Sequence, residues 1–203
     1  MGTSNITILL PEGRLPLEVL DKVRDLAREH GLTLYLTNEQ NLRLLQVPQE
    51  KTEGIKQELV SLGVDLKGPG KLPLPRVCVG RDNCDLGRMD PARLSRRIVE
   101  RLSQGAEVKP KLKMGISACT MACSGATIKD MGVVASKNGY SLYVGGKGGV
   151  SPQPGRRVLK EAGEEDILQA MQEIFCFHQE RTPKKQRMAK LIDEPDFPYP
   201  PLD

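Results

Sequence analysis

Four of the five cysteines in this sequence stand in two short pairs whose side chains could bind a metal centre. Cys78 and Cys84 enclose five residues, and Cys119 and Cys123 enclose three. Two clustered pairs that are brought together by a fold are the usual way in which a chain builds a four-thiolate metal site. The sequence therefore predicts a metal centre, and the odd number of cysteines argues against a disulfide framework.

Three interpretations of the cysteines compete. Structural zinc typically uses pairs separated by two to four residues, so the first pair is wide for a zinc site. An iron–sulfur cluster also takes four thiolates but is bulkier, and wider loops fit it more comfortably. Cysteines can also be small packing residues. We expect that role for Cys176, beside Phe175 on the inward side of a helix, but not for four cysteines in loops rich in Gly, Ser and Asp.

Two lysines precede the second cysteine pair on a strand predicted over residues 111–116. Alternation along that strand puts Lys111 and Lys113 on one face, about 7 Å apart. Two cations on one face can attract an oxyanion and then deliver protons to oxygens that leave as water. The alternative is a solvated strand edge, where lysines oppose aggregation.

The elements that would position these residues form two parts, which predict an α+β protein. Residues 1–67 show the strand–helix–strand–strand–helix order of a ferredoxin-like half domain. A Gly- and Pro-rich stretch, 67–75, separates it from a second domain over 76–192, and a proline-rich tail follows at 193–203. In the second domain we expect a helix after Asp90-Pro91, a hairpin over 131–144, a glycine loop at 145–149 and a helix over 164–178.

Three segments of the second domain carry a resemblance to a known family. CVGRDNCDLG, KPKLKMGISACTMACSGATIKDMGV and GYSLYVGG resemble, in this order, the catalytic repeat of sulfite and nitrite reductases that couple sirohaem to a 4Fe–4S cluster. The first third of the chain resembles the ferredoxin-like half domain of that family. The resemblance spans roughly residues 9–187 and covers one repeat, as in the small single-repeat members. It implies an oxidoreductase that reduces sulfite to sulfide or nitrite to ammonia with both cofactors.

The resemblance also implies roles for individual residues. Four cysteines would bind the cluster, and the last would also bridge to the sirohaem iron: Cys78, Cys84, Cys119 and Cys123. Two lysines match the Lys-x-Lys of the family and would be catalytic: Lys111 and Lys113. The carboxylates of sirohaem need cationic donors. The candidates by position are Arg43, Arg76, Arg81 and Arg88, each of which could equally be an ordinary surface arginine.

Two residues depart from the family pattern. Glu39 stands where the family has an arginine that binds the substrate anion, and an acid there would repel sulfite. Met121 stands where the family commonly has an asparagine between the last two cysteines. Two alternatives therefore remain beside the reductase. One is an iron–sulfur or tetrapyrrole electron-transfer protein without sulfite or nitrite turnover, and the other is a zinc-stabilised interaction domain.

Composition limits the partners of this chain. Aromatic residues make up 3% with no Trp, which disfavours a single-stranded nucleic-acid platform, and a net charge of +4 is too small for a polyelectrolyte binder. No nucleotide-binding glycine motif occurs, so we expect an external electron donor such as a ferredoxin, which the basic segment 184–187 would suit. A second copy of the chain could cover the cofactor as a homodimer. The absence of a long apolar run and of a basic leader leads us to expect a cytoplasmic protein without a membrane span.

Overall fold

The computed structural model describes residues 2–103, 112–181 and 187–202, which divide into an N-terminal unit (residues 1–68) and a C-terminal unit (residues 69–203). Helices and strands are mixed in both units, which confirms the α+β class. Each unit has its own cluster of buried aliphatic side chains.

The N-terminal unit packs two helices on a three-stranded antiparallel sheet. Its strands are β1 (Thr3–Ile8), β2 (Thr33–Leu36) and β3 (Leu42–Pro48), in the spatial order β1-β3-β2. Helix α1 (Leu17–His30) ends at Gly31, whose φ of 63° is the left-handed conformation that glycine commonly adopts after a helix. Helix α2 (Thr52–Val60) follows β3. After α2, Leu66 forms an isolated antiparallel bridge with Ile8 of β1.

The C-terminal unit is built on a five-stranded mixed sheet in the order β4-β5-β6-β7-β8. Its strands are β4 (Arg76–Val77), β5 (Met114–Ser117), β6 (Met131–Ala135), β7 (Tyr140–Val144) and β8 (Arg156–Ala162). The first three strands run parallel to one another, and β6, β7 and β8 are antiparallel neighbours. The hairpin of β6 and β7 confirms the prediction from Asn138-Gly139, whereas β8 was not expected.

Two helices cover one face of this sheet. In α3 (Pro91–Leu102) the Asp90 carboxylate accepts hydrogen bonds from the backbone N–H groups of Ala92 and Arg93, which confirms the predicted N-cap. Helix α4 (Glu164–Arg181) buries one apolar side, which includes Ile167, Met171 and Ile174. Inward-pointing side chains of the strands, among them Ile116 and Val133, pack with both helices in one core. The opposite face, which carries Gly115 and Gly132, is covered by the 3-10 turn Ala126–Ile128, and we call it the far face.

One cysteine expectation is wrong. Cys176 is exposed on α4, not packed inward, although Phe175 beside it is buried. Successive residues of a helix point about 100° apart, so a neighbour of a core residue readily faces solvent. Within the part of the chain that the structure describes, no helix is long and apolar enough to cross a bilayer.

Candidate metal centre

The two cysteine pairs lie at the same edge of the C-terminal sheet. Cys78 directly follows β4, and Cys119 comes two residues after the end of β5. These strands are parallel neighbours, with Val77 opposite Ile116, and the N–H of Cys78 donates to the Ile116 carbonyl. Neighbouring strands are about 4.8 Å apart, and the carboxyl ends of parallel strands share one edge. The fold therefore brings two pairs together that are far apart in sequence.

The first cysteine loop is fastened to the second by Ala118. Its N–H donates to the Cys78 sulfur at 3.1 Å, and its carbonyl accepts from the N–H of Arg88 at 2.8 Å. Hydrogen bonds to sulfur are a principal means by which a protein tunes an iron–sulfur cluster. The loop is also tightly folded, since a Cβ at Gly87 would lie 2.6 Å from the backbone of Arg81. Ala118 thus links the two loops through its own backbone N–H and carbonyl groups.

The second cysteine loop contains a left-handed residue. Ala122 has a φ of 50°, and its N–H donates to the Cys119 carbonyl. Such conformations are costly for a residue with a Cβ, and they cluster at functional sites. Cys123, the next residue, is exposed, whereas the other three cysteines of the pairs are half-buried. The turn therefore leaves the last thiol open to a second ligand.

The far face of the sheet carries small residues. Gly115 on β5 and Gly132 on β6 are opposite each other. A Cβ on Gly132 would collide with the Ala126 carbonyl, and one on Gly115 would lie 3.0 Å from the Ala126 Cα. The short 3-10 turn Ala126–Ile128 consequently packs directly on the strands. Both glycines are thus required for the loop that follows Cys123 to lie down on the sheet.

Lys113 immediately precedes β5 and is exposed. Leu112 and Met114, its neighbours, are buried in the core, so alternation places Lys113 on the far face with Gly115. Arg76 of β4 is opposite Gly115, which puts it on that same face, diagonal to Lys113. Lys111 lies outside the described residues. Lys113 and Arg76 therefore share one face of the sheet, with Lys113 at the amino end of β5 and the cysteine loop at its carboxyl end.

The other candidate arginines are placed differently. Arg81 is exposed in the first cysteine loop, with its Nε 3.7 Å from an oxygen of Asp82. Arg88 is exposed in the same loop. Arg43 belongs to β3 of the N-terminal unit, where its Nε donates to the Thr7 hydroxyl at 2.9 Å. Glu39 lies in the turn between β2 and β3 of that unit.

A buried carboxylate that sequence reasoning missed lies just before β6. Asp130 is completely buried, and it accepts hydrogen bonds from the N–H groups of Lys113 and Met188 and from Nε of Arg187. Burial raises the pKa of Asp130 above its usual value, while the Arg187 guanidinium and the amide donors act in the opposite direction. The signal in the sequence is an acidic residue directly before an apolar strand. An acidic side chain is rarely buried in a protein unless it is paired.

Exposed apolar side chains surround the cysteines. Among the described residues of the C-terminal unit, six large apolar side chains are exposed, and five of them lie in the cysteine loops or in loops near them: Val79, Leu86, Met121, Ile128 and Val150. Apolar groups that collect in one region of a surface mark a binding site for an apolar ligand or partner. The flat ring of a tetrapyrrole has that character.

The residues present fit an iron–sulfur cluster beside a tetrapyrrole. Four free thiols, an amide hydrogen bond to one sulfur, cations on the adjoining face and apolar loops are the groups that the two cofactors need. Over residues 2–103, 112–181 and 187–202, no three His, Cys, Asp or Glu side chains converge as ligands of one metal ion. A 4Fe–4S cluster takes its four thiolates on four different irons, so its ligands are spread more widely than those of one zinc ion.

Known proteins resemble this chain over nearly its whole length. It is 27% identical over 194 residues to the large subunit of the NADH nitrite reductase of Escherichia coli, covering 95% of this chain and 23% of that protein. It is 27% identical over 188 residues to the assimilatory-type sulfite reductase of Nitratidesulfovibrio vulgaris, covering 91% of this chain and 84% of that protein. The chain thus spans less than a quarter of that nitrite reductase but most of the sulfite reductase.

The fold is shared with solved structures. The solved structure of the NirA protein of Mycobacterium tuberculosis superimposes with a TM-score of 0.77 at 18% identity, over 94% of this chain and 38% of that one. A model of the nitrite/sulfite reductase ferredoxin-like half domain matches residues 2–62, and a model of the nitrite and sulphite reductase 4Fe-4S domain matches residues 74–197. The resemblance drawn from the cysteine segments is thereby confirmed, and the chain belongs to the nitrite and sulfite reductase 4Fe–4S family.

Proposed function

We propose that this protein reduces a small oxyanion, sulfite to sulfide or nitrite to ammonia, in a six-electron reaction. The observation that carries the proposal is that Cys78 and the loop of the second cysteine pair follow the carboxyl ends of the parallel neighbours β4 and β5, where the Ala118 N–H donates to the Cys78 sulfur. The family implies a 4Fe–4S cluster and sirohaem as cofactors. When bound, this pair stores electrons and offers an iron for the anion.

Four thiolates would hold the cluster in this proposal: Cys78, Cys84, Cys119 and Cys123. Cys123 would also bridge to the sirohaem iron, a role that its exposure supports. The Ala118 N–H would stabilise negative charge on the Cys78 sulfur, because an amide donor favours the more reduced, more negative state. The apolar side chains of Val79, Leu86 and Met121 would cover part of the macrocycle and exclude water from it.

Cationic residues would bind and protonate the anion. Lys113 lies on the far face and is exposed, so its ammonium group can attract an oxyanion and donate protons as oxygens leave as water. Arg76 would pair with a macrocycle carboxylate or with the anion, since it shares that face. Lys111, Arg43, Arg81 and Arg88 keep the roles expected from the resemblance. A second copy of this chain could cover the cofactors.

Electrons would come from an external donor such as a ferredoxin. The basic segment 184–187 was expected to attract such an acidic carrier, and most of it lies outside the described residues. Arg187, which is described, is paired with the buried Asp130. Its charge is therefore engaged within the protein, and donor binding would have to depend on other cations.

Absorption of the anaerobically purified protein tests the cofactors. Sirohaem bands with a broad iron–sulfur shoulder, and about four irons per chain beyond that of sirohaem, are expected from four-cysteine ligation. A colourless protein that contains zinc would refute the proposal in favour of an interaction domain. Assays with a reduced viologen then test the reaction, since sulfide or ammonia should accumulate.

A second candidate function is electron transfer without turnover of either anion. Glu39 and Met121 favour it, because they replace the arginine and the asparagine that the family commonly has. This candidate predicts the same absorption bands but no sulfide and no ammonia. Replacing Glu39 with Arg provides a direct comparison, since it should increase turnover if the missing cation is the limitation.

A further inference from the structure

Lys113 is held by its backbone on both sides. Its N–H donates to Oδ2 of Asp130 at 2.8 Å, and its carbonyl accepts from the N–H of Met131 at 3.2 Å. Asp130 and Met131 are adjacent, so one short piece of chain fixes both peptide groups of Lys113. The side chain of Lys113 extends from this fixed point on the far face of the sheet. Its direction thus depends on where Asp130 is held.

Asp130 is held in turn by the C-terminal segment. Nε of Arg187 donates to its Oδ1 at 2.7 Å, and the N–H of Met188 donates to the same oxygen at 3.0 Å. Three donors on one completely buried carboxylate leave it little freedom to rotate. Residues 187–192, which we call the C-terminal clasp, are anchored because Met188 and Leu191 are buried in the main core.

The clasp also holds the glycine loop after β7. Nη2 of Arg187 donates to the carbonyl of Gly146 at 3.1 Å, and the N–H of Gly145 donates to the backbone carbonyl of Asp130 at 2.9 Å. A Cβ on Gly145 would lie 3.4 Å from the Cα of Ala189, so the clasp packs closely on this loop. One guanidinium therefore connects the start of β6 with the exit of β7.

We propose that Asp130 and Arg187 are a positioning pair that sets the direction of Lys113 toward the anion. This inference rests on the proposed function, in which Lys113 binds and protonates the oxyanion. Neither member of the pair touches the substrate. A planar guanidinium with two partners in fixed directions defines geometry better than an ammonium group does, which explains an arginine at this place.

The test compares Arg187→Gln with a matched control, Arg156→Gln. Arg156 also ties the C-terminal segment to the sheet, through an exposed ion pair of 2.5 Å with Asp193, but it contacts neither Asp130 nor Lys113 in the described structure. Hydrogen exchange of the cofactor-loaded protein should be about tenfold faster at the Lys113 amide in Arg187→Gln and unchanged in Arg156→Gln, because the acceptor of that amide is loosened.

Turnover supplies the second readout, through a double-variant cycle. Arg187→Gln should lower kcat about tenfold, with sirohaem and iron contents unchanged. In a Lys113→Ala background the same change should have almost no further effect, since the side chain that the pair directs is already gone. Arg187→Lys should restore part of kcat because it keeps a cation beside Asp130.

The outcomes separate this inference from the proposed function. Unchanged exchange at Lys113 in Arg187→Gln, or effects of Arg187→Gln and Lys113→Ala on kcat that simply multiply, would overturn the positioning role. Faster exchange in a wild-type protein that reduces neither sulfite nor nitrite would support the physical linkage and refute the proposed reaction instead. A parallel loss of cofactor and kcat would mean that the pair is structural, which also overturns the inference.

Discussion

Ser117 and Ser124 share a hydrogen bond of 2.6 Å between their hydroxyl oxygens, and both side chains are almost completely buried. Ser117 ends β5 and Ser124 directly follows Cys123, so the bond closes the loop that carries the second cysteine pair. The Ser117 hydroxyl oxygen also accepts from the Ser124 N–H at 3.3 Å. The position of both thiols in this loop is therefore linked to the end of a core strand.

We expect Ser117→Ala to destabilise the protein by about 1–3 kcal/mol, because a buried N–H and a buried hydroxyl lose their partner. The cluster should also be released faster when a chelator is added. Urea unfolding and the decay of the iron–sulfur absorption measure the two effects. Ser151→Ala, at an exposed position of the same unit, is the control and should change neither.

We expect Cys123→Ser to lower cofactor-dependent activity by at least about tenfold, because changing even a residue that hydrogen-bonds to a metal ligand typically costs about 10–100-fold in affinity or activity, and Cys123 would be a ligand itself. Magnetic coupling between the cluster and sirohaem should disappear, which electron paramagnetic resonance measures. Cys176→Ser is the matched control, since Cys176 is an exposed thiol on α4. Equal iron content and equal coupling in both variants would contradict the ligand role of Cys123.

We expect Lys113→Ala to lower kcat about 100-fold, the usual contribution of a positioned proton donor. The contents of sirohaem and iron should stay the same, because Asp130 binds the backbone N–H of residue 113 and not its side chain. Lys137→Ala, in the exposed hairpin turn between β6 and β7, is the control. A loss of cofactor in parallel with kcat would show that Lys113 is structural.

We expect Gly132→Ala to destabilise the protein by about 1–3 kcal/mol, the usual cost of forcing extra atoms into a packed core. The new Cβ would collide with the carbonyl of Ala126, so the turn after the second cysteine pair must move. Thermal unfolding and the yield of bound cluster measure this. In Gly148→Ala the new Cβ would meet only the tip of Ile128, at 3.7 Å, and both quantities should remain at the wild-type level.

Much of the local structure follows from the sequence. Asp90-Pro91 specifies the start of α3 because a carboxylate caps the free N–H groups and proline fits the first turn. Asn138-Gly139 specifies the hairpin between β6 and β7, since the turn needs positive φ, which Gly139 adopts. The spacing of the cysteines and the motifs beside them were sufficient to identify the family, which the matched domain models confirm.

Long-range contacts could not be predicted from local patterns in the sequence. The burial of Asp130 depends on Arg187, which is 57 residues further along the chain, and no local pattern links the two. Strand β8 was missed because its Arg- and Lys-rich sequence shows little apolar alternation, although Val158 is buried in the core. Cys176 was placed inward from its neighbour alone, and only the packing of α4 decides which side it faces.

The sequence by itself determined the residues that can do the chemistry: two cysteine pairs, the lysines before the second pair, and the caps and turns around them. Local spacing suffices for these because ligand type, helix caps and turns depend on few neighbouring residues. Only the tertiary structure decided that β4 and β5 are parallel neighbours, which brings the pairs to one edge, and that a distant arginine fixes Asp130 beneath Lys113. Strand pairing and buried ion pairs join residues that are remote in the chain, so they form only when the whole core packs.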